Sequence, residues 1–313
     1  MQNSKKNIII YKLLQSNNFH FLDKKLEEQM SKFFCETNCE LWWTKAEALG
    51  INVIKMPYTL GSEMYFYDLG KNINSKEFFD AMRKGESAKT QALNMNEYIE
   101  YFEPVFASGE DILYVSFSHE MSGTFNSMRL AINELKEKYP ERKITVVDTR
   151  SICMGAGAIV EQAAKLHASG ASDEEVVAFV ESFKDKSKIY FTVNDLKYLV
   201  RGGRLSAVAG AVGSLLNLKP IIGVSDGKLA SLAKVNGRKK SIFTLVDKLT
   251  TDEVDTSYPI IVLHADSEQD ATFMKTMVEQ KYPDAKVELQ LVGPVIGAHC
   301  GPDCLGIVFI KKN

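Results

Sequence analysis

Hydroxyl side chains that follow one short apolar run in the first half of the chain predict a site for an anion. The run at residues 112–115 has the length and β-branched content of a buried strand. Ser118, Ser122 and Thr124 come soon after it, where a helical pattern begins. The first N–H groups of a helix lack backbone partners and its dipole favours negative charge, so hydroxyls at this position can complete an anion site. A plain helix cap at Ser122 or Thr124 is the alternative interpretation.

A histidine and two arginines in glycine-containing segments are further candidates. His299 lies in the segment GPVIGAHCGP, which the sequence predicts to be a turn-rich loop. A rigid loop can hold a polar side chain in a cleft, although an imidazole can equally pair with the backbone. Arg201 and Arg204 flank two glycines, and a guanidinium suits carboxylates and phosphates; a solvated turn is the alternative. Thr90 lies in a polar segment that we predict to be a loop.

The sequence carries none of the common catalytic or cofactor-binding motifs. It lacks a P-loop, a G-x-G-x-x-G fingerprint, an H-E-x-x-H motif, an EF-hand loop and a G-x-S-x-G elbow. Ser118 and His119 are neighbours in sequence, and neighbours on an extended chain point to opposite sides, so their order does not make them a dyad. No reaction class follows from motifs alone.

Composition and charge are those of an ordinary globular protein. Of the 313 residues, 45% are hydrophobic and 25% are charged, and the formal net charge is −2. This balance does not indicate binding to nucleic acid or to an acidic membrane surface, and no apolar run has membrane-spanning length. The N-terminal stretch lacks the long apolar core and cleavage site of a signal peptide, so we expect a cytoplasmic location.

The five cysteines are an odd number, and a chain of this size does not need a disulfide framework. Cys35 with Cys39, and Cys300 with Cys304, share the spacing C-x3-C, which would suit a zinc site if the two pairs met. No second histidine lies near Cys35, and reduced, buried thiols are the simpler interpretation. We therefore expect no bound metal.

Alternating strand and helix patterns predict an α/β fold with two domains. Through residues 31–184, apolar runs alternate with helical segments, as in an open, mainly parallel sheet with helices on both faces. A new set of strands begins near Ser187, and Asp226 followed by Gly227 is a hairpin signal. The predicted division is an N-terminal extension over residues 1–30, a first α/β domain over 31–186 and a second α/β domain over 187–313.

Four stretches, in the same order and spacing, resemble the DegV family of bacterial fatty-acid-binding proteins. FSHEMSGTFNS at residues 117–127 resembles the family segment Ser-Ser-x-Leu-Ser-Gly-Thr-Tyr, and VDTRSICMGAG at 147–157 resembles its Asp-Ser strand end. The block at 195–222 resembles the family's Gly-Gly-Arg-Ile-Ser and Leu-Asn-Ile-Lys-Pro-Ile motifs. GPVIGAHCGPDCLG at 293–306 resembles its closing Gly-Pro-x-Ile-Gly-x-His segment.

The resemblance implies two α/β domains that enclose one long-chain fatty acid in a buried tunnel between them, with no cofactor and no metal. It also implies a carrier without catalytic activity of its own, which in some relatives presents the acyl carboxyl group to a separate fatty acid kinase. The ligand-binding residues that it implies are Thr90, Ser118, His119, Ser122, Gly123 and His299. The partner-docking residues that it implies are Arg204 and Arg238.

The sequence departs from the family pattern near some of these positions. His119 stands where the family has its second serine, and Asn236 stands about where kinase-docking relatives carry an arginine. A buried carboxylate needs hydrogen-bond donors, and each buried methylene of a tail contributes about 0.8 kcal/mol, so a long chain would bind mainly through its tail. The candidate walls of the tunnel are Ala207, Ala211, Val212, Leu215 and Leu216.

An enzyme is the alternative interpretation of the same residues. An acyl hydrolase or acyltransferase would use the hydroxyl of Ser118 or Ser122 as nucleophile together with His299. A covalent acyl adduct, or turnover of an acyl ester that is lost in Ser118→Ala, would distinguish the enzyme from the carrier.

Overall fold

The first domain is built on a parallel four-stranded sheet. The computed structural model describes residues 30–204 and 218–312 of the chain. The strands of this sheet are β1 Lys32–Glu36, β2 Asn52–Ile54, β6 Ile112–Ser116 and β7 Ile144–Asp148. They follow the order β2-β1-β6-β7, and every neighbouring pair is parallel. The helices of the domain are α1 Trp43–Ala48, α2 Ser75–Arg83, α3 Met95–Ala107, α4 Thr124–Lys138, α5 Cys153–Ala168 and α6 Asp173–Phe183.

Burial of the central strand explains why its sequence is apolar throughout. All five residues of β6 are buried, because helices cover both faces of a parallel sheet. At its end, the backbone N–H of Phe117 donates to Glu36 Oε1 at 2.7 Å, which ties the carboxyl ends of β6 and β1 together. Burial raises the pKa of Glu36 to about 7. The helix that begins at Asp173 has the reciprocal cap between Ser172 and Glu175 that its S-x-x-E spacing indicates.

A small antiparallel sheet lies beside the parallel one. Its strands are β3 Pro57–Leu60, β4 Glu63–Phe66 and β5 Ala88–Thr90, in the order β4-β3-β5. Thr90 pairs with Tyr58 at the end of β5, so the prediction of a loop at Thr90 is wrong. The short polar strand forms because β3 supplies hydrogen-bond partners, which the local sequence does not reveal.

The second domain contains a mixed six-stranded sheet, and the predicted α/β fold class is confirmed. Its strands are β8 Ser187–Thr192, β9 Leu218–Ser225, β10 Lys228–Asn236, β11 Ile260–His264, β12 Val287–Leu291 and β13 Leu305–Ile310, in the order β10-β9-β8-β13-β11-β12. The helices are α7 Lys197–Arg201, α8 Arg238–Thr251, α9 Glu268–Lys281 and α10 Pro294–Cys300. Asp226 and Gly227 form the two-residue turn between β9 and β10, with positive φ values of 51° and 75°.

The helix α10 replaces the loop that the sequence predicts around His299. Pro294 occupies its first turn, where the missing N–H has no cost, and Gly301 ends it with φ of 73°. A side chain at position 301 would collide with the ring of Tyr198. The glycines and proline that suggest a loop are thus the start and stop signals of a short helix, and the prediction of a loop is wrong.

An apolar core runs continuously from one domain into the other. It joins side chains such as Phe34 and Val115 from the first domain to Ile189 and Leu263 from the second. A smaller cluster packs between the second sheet and its outer helices. The strand β8 begins at Ser187, which is the first residue of the predicted second domain. The exact domain bounds remain a prediction. Within residues 30–204 and 218–312, no helix is long and apolar enough to cross a membrane.

Candidate ligand-binding site

A cavity with about 930 Å³ of empty space, partly open to solvent, lies between the two domains. Its walls in the first domain follow the carboxyl ends of three parallel strands, where ligands of such sheets bind: Asn38 after β1, Phe117 after β6 and Ile152 after β7. The second domain contributes one face of its sheet and the helix α10. Most of the lining side chains are apolar, among them Met56, Leu199, Leu229, Val292 and Val295.

A threonine and a histidine from opposite domains meet on the wall of this cavity. Thr90 Oγ1 lies 2.8 Å from Nε2 of His299, and both residues line the cavity. Burial, together with the charge of Arg204, lowers the pKa of His299 from 6.5 to about 4. The ring is therefore neutral at pH 7. Its Nδ1 has no hydrogen-bond partner among the described residues, and a side chain at position 202 would collide with it, so Gly202 packs there.

Arg204 brings a positive charge to the same wall. Its guanidinium donates to the carbonyls of Gly202 at 2.5 Å and Met121 at 3.2 Å. It is half-buried, and within residues 30–204 and 218–312 no carboxylate forms an ion pair with it. Burial lowers its pKa from the ordinary value. A half-buried cation without a counter-charge favours the binding of an anion.

Ser122 and Gly123 occupy different positions relative to the cavity. Ser122 lines it and accepts a hydrogen bond from the backbone N–H of Thr124 at 3.3 Å. Gly123 is exposed and precedes the first turn of α4, and it is not among the lining residues. The cavity thus brings together Thr90, Ser122, His299 and Arg204 from the sequence-predicted set.

Ser118 lies outside the cavity wall. Its hydroxyl is buried, donates to the carbonyl of Gly227 at 2.6 Å and accepts from the N–H of Glu120 at 3.3 Å. This bond attaches the end of β6 to the tip of the β9–β10 hairpin in the other domain. The hydrogen bonds of Ser118 and of His299 thus go to different partners, so the contact that a hydrolase with Ser118 as nucleophile would need is not formed.

His119 also contacts residues near the strand ends and is not among the residues that line the cavity. Its Nε2 lies 2.8 Å from the hydroxyl of Ser116, and its ring stacks on Phe125 at 3.9 Å. Its backbone N–H donates to Asp148 at 3.2 Å. The ring Nδ1 lies 4.0 Å from Asp148 Oδ2, which is too far for a hydrogen bond, and Ser116 is fully buried, so these residues do not form an accessible triad. Burial lowers the pKa of His119.

Arg238, predicted for partner docking, forms contacts within its own domain. Its Nε donates to Asp270 at 2.7 Å and one terminal nitrogen donates to Ser267 at 3.1 Å. These bonds join the first turns of α8 and α9. Its role in docking stays a prediction, as does that of Arg204.

Three polar residues of the cavity wall, Asn38, Gln91 and His264, are missing from the sequence-based set. The position of Asn38 directly after β1 is a signal that could have identified it, because ligands approach the carboxyl ends of parallel strands. Gln91 adjoins Thr90 and is exposed. The predicted tunnel walls at Ala207, Ala211, Val212, Leu215 and Leu216, and almost all of the predicted extension over residues 1–30, lie outside the described residues.

All five cysteines are free and buried, and three of them line the cavity. The sulfur atoms of Cys35 and Cys39 lie 3.6 Å apart. A hydrogen bond to Cys304 and burial raise the pKa of Cys300, and burial raises that of Cys153. Both groups are thus protonated thiols, which are poor nucleophiles. No cluster of three or more histidine, cysteine or acidic side chains in the described part of the chain is arranged to hold a metal ion.

Comparisons with known proteins agree on one family. The model of a family described as "Uncharacterised protein, DegV family" matches residues 33–312. A DegV domain-containing protein of Clostridium perfringens is 36% identical over 285 residues, which cover 90% of this chain and 98% of the relative.

Two solved structures of similar fold are described with a fatty acid or as fatty acid binding. The structure of DegV, a fatty acid binding protein from Bacillus subtilis, is 26% identical, covers 91% of this chain and 100% of its own, and has a TM-score of 0.77. The fatty acid kinase B3 protein of Streptococcus pneumoniae, loaded with linoleic acid, is 23% identical, with the same coverage and a TM-score of 0.75. The likeness to the second structure shows a shared fold.

Proposed function

The chain belongs to the DegV family, and from that premise we propose that it binds one long-chain fatty acid in the cavity between its domains. The family model and the relative from Clostridium perfringens cover nearly the whole chain. The Bacillus subtilis protein of the same fold is described as a fatty acid binding protein. The cavity supports the proposal, because its apolar walls suit an acyl tail and its polar cluster suits a carboxylate.

The observation that carries the proposal is the unpaired charge of Arg204. A guanidinium on the wall of a mostly apolar cavity, held by two carbonyls and without an acidic partner among the described residues, is costly unless an anion joins it. A fatty acid carboxylate supplies that anion and places its tail against the apolar wall. A neutral lipid would leave the charge uncompensated.

We place the carboxylate between Arg204, Thr90 and Ser122. If the proton of His299 is on Nε2, the ring donates to Thr90 Oγ1, and the hydroxyl of Thr90 is then free to donate to the carboxylate. Nδ1, which lacks a partner in the described residues, would be the unprotonated nitrogen. His299 thus acts as a positioning residue for Thr90. Ser118, His119 and Gly123 are not part of this site, because the first two have other partners and the third lies outside the lining.

The finer proposal is that the protein presents the carboxyl group to a separate fatty acid kinase. The polar end of the cavity reaches the surface at Gln91, which is exposed, so a partner could approach the carboxylate from that side. With a bacterial fatty acid kinase and ATP, we expect ADP release when the loaded protein is added. Release that is equal with the delipidated protein would contradict presentation, while leaving fatty acid binding intact.

The experiment that tests the proposed function is identification of the co-purified ligand. Native mass spectrometry of gently purified protein should show the added mass of one fatty acid, and lipid extraction should identify it. After delipidation, titration with oleic acid should show saturable binding of one molecule per chain. A protein that is empty as purified and does not bind added oleic acid would contradict the proposal.

A further inference from the structure

A buried amide in the cavity wall lacks a hydrogen-bond partner for its oxygen among the described residues. Asn38 lies in the short 3-10 turn Thr37–Cys39, is 8% exposed and lines the cavity. Its Oδ1 is buried without a hydrogen-bond partner in the described residues. The adjacent hydroxyl of Thr37, by contrast, accepts from the N–H of Met56 at 3.0 Å. Buried polar groups in proteins are nearly always paired, so an unpaired amide at a ligand cavity indicates a polar group on the ligand.

The turn with Asn38 lies at the opposite end of α10 from the proposed carboxylate site. Glu40, two residues after Asn38, accepts a hydrogen bond at 2.9 Å from the N–H of Gly293, which precedes α10. Tyr67 donates to the same carboxylate oxygen, and burial raises the pKa of Glu40 to about 8. His299 is in the last turn of the helix, and at 1.5 Å per residue the rise from Gly293 to His299 is about 9 Å. This distance is well short of an extended long acyl chain.

An unsubstituted acyl chain cannot satisfy this amide. Methylene groups passing Asn38 would remove any water from it and offer neither a donor nor an acceptor. A hydroxyl on the chain could donate to Oδ1 and accept from the amide N–H, since an asparagine side chain has both functions. The other nearby walls, such as Ile152 and Val295, are apolar and would not compete for that group.

Resting on the proposed function, we infer that the cavity selects long-chain fatty acids that carry a hydroxyl group along the chain. Asn38 is the specificity-determining residue, and it binds the oxygen while Arg204 and Thr90 hold the carboxylate. Because Glu40, two residues after Asn38, contacts the Gly293 end of α10 and Thr90 contacts its His299 end, we expect that oxygen on a chain carbon well away from the carboxyl group.

The test is a comparison of affinities in the delipidated protein. Stearic acid is titrated alongside a series of hydroxystearic acids that differ only in the position of the hydroxyl. We expect one mid-chain isomer to bind about tenfold more tightly than stearic acid, with isomers hydroxylated near either end showing no advantage. In Asn38→Leu the advantage should disappear, because the tighter binding of the hydroxylated acid is lost while stearic acid binds at least as well as before.

Matched variants separate specificity from folding. Gln91→Leu removes the other amide of the cavity wall, which is exposed, and should change the affinity for both acids by the same factor. Asn38→Ala should give the same loss of selectivity as Asn38→Leu, and thermal unfolding checks that each variant is folded. Equal affinity of wild type for stearic acid and all its hydroxylated forms would overturn the inference and leave the proposed function standing. An advantage that survives in Asn38→Leu would overturn it too. Failure of the wild type to bind any of these acids would overturn both.

Discussion

Two polar clusters lie where the domains meet, and they differ in whether their hydrogen bonds are complete. The strand-end cluster, Ser116, Ser118 and His119, pairs its side chains within the protein. The cavity cluster, Thr90, His299 and Arg204, leaves one ring nitrogen without a partner and one cation without a counter-charge among the described residues. A histidine and at least one hydroxyl side chain occur in both clusters. Incomplete pairing at a cavity, rather than residue type, therefore marks the candidate binding site.

The difference arises from how each cluster is assembled. The residues of the strand-end cluster are close together in sequence. Among the described residues, the one contact that they make with the β9–β10 hairpin through a hydroxyl is the bond from Ser118 to the carbonyl of Gly227. The cavity cluster takes one residue each from β5, from α10 and from the segment after α7, so a gap remains between three elements. A ligand can complete the second cluster, whereas the side chains of the first cluster are already paired within the protein.

The largest effect on ligand binding should come from Arg204→Met. Loss of a hydrogen-bonded charge should weaken oleic acid binding about 100-fold, roughly 3 kcal/mol. The free protein should unfold no more easily, because the variant removes an uncompensated half-buried cation. Isothermal titration calorimetry and thermal unfolding measure the two quantities.

Arg201→Met is the matched control for this change, since Arg201 is exposed and three residues away. It should leave the affinity for oleic acid unchanged. If both variants weakened oleic acid binding equally, the loss would come from the net charge of the protein and not from a contact with Arg204. That result would contradict the assignment of the cavity cluster as the binding site.

The pH response of His299 should differ between the free and the loaded protein. In the free protein its pKa of about 4 lies below the ordinary 6.5 because of burial and the charge of Arg204. The stability that the neutral ring contributes is thus complete above about pH 6.5 and is lost as the pH falls towards 4, a change of about 3 kcal/mol. A bound carboxylate should raise this pKa, since it compensates the charge of Arg204.

NMR titration of the ring protons, assigned with a His299→Gln variant, measures that pKa with and without oleic acid. The ring of His119 is an internal control, because its partners Ser116 and Phe125 are not among the residues that line the cavity. A pKa of His299 near 6.5 in the free protein, or one that does not respond to oleic acid, would contradict the account.

Ser118→Ala should affect stability and leave binding unchanged. Removing the hydroxyl leaves the carbonyl of Gly227 without its donor, so the free energy of unfolding should fall by about 1–2 kcal/mol. Urea denaturation measures this loss, and titration with oleic acid should give an affinity within twofold of wild type. A tenfold loss of affinity would show that Ser118 reaches the ligand and that the two clusters are not separate.

Ser122→Ala should weaken binding and leave stability unchanged, the opposite of Ser118→Ala, and its effect on affinity should be smaller than that of Arg204→Met. Its hydroxyl lines the cavity, so its loss should weaken oleic acid binding by about threefold, as expected for one modest hydrogen bond. Unfolding by urea should be almost unchanged. A larger effect on stability than on affinity would make Ser122 a helix-cap residue instead, which is the alternative that the sequence leaves open.

The fold was predictable where local signals decide it. The apolar run of β6 and the turn at Asp226 and Gly227 appear in the structure because burial and backbone conformation are encoded in neighbouring residues. The sequence predicts loops at Thr90 and His299, because the strand and the helix that form there depend on partners far along the chain. Strand β3 pairs with Thr90, and Tyr198 packs against the glycine that ends α10.

Sequence reasoning named most polar residues near the domain interface but could not tell which of them face the cavity. Ser118 and Ser122 look alike in the sequence. In the fold, the hydroxyl of Ser118 donates to the carbonyl of Gly227, whereas Ser122 lines the cavity. The family resemblance implies that Arg204 docks a partner protein, and only the fold shows that it lies on the cavity wall. Such distinctions depend on contacts between segments that are distant in sequence.

A crystal structure of the delipidated protein soaked with oleic acid tests the central claim most directly. The account predicts one acyl chain between the domains, with its carboxylate within hydrogen-bond distance of the guanidinium of Arg204 and the hydroxyl of Thr90. The hydroxyl of Ser118 should still donate to the carbonyl of Gly227. A carboxylate bound at the strand-end cluster, or an acyl chain outside the cavity, would contradict the account.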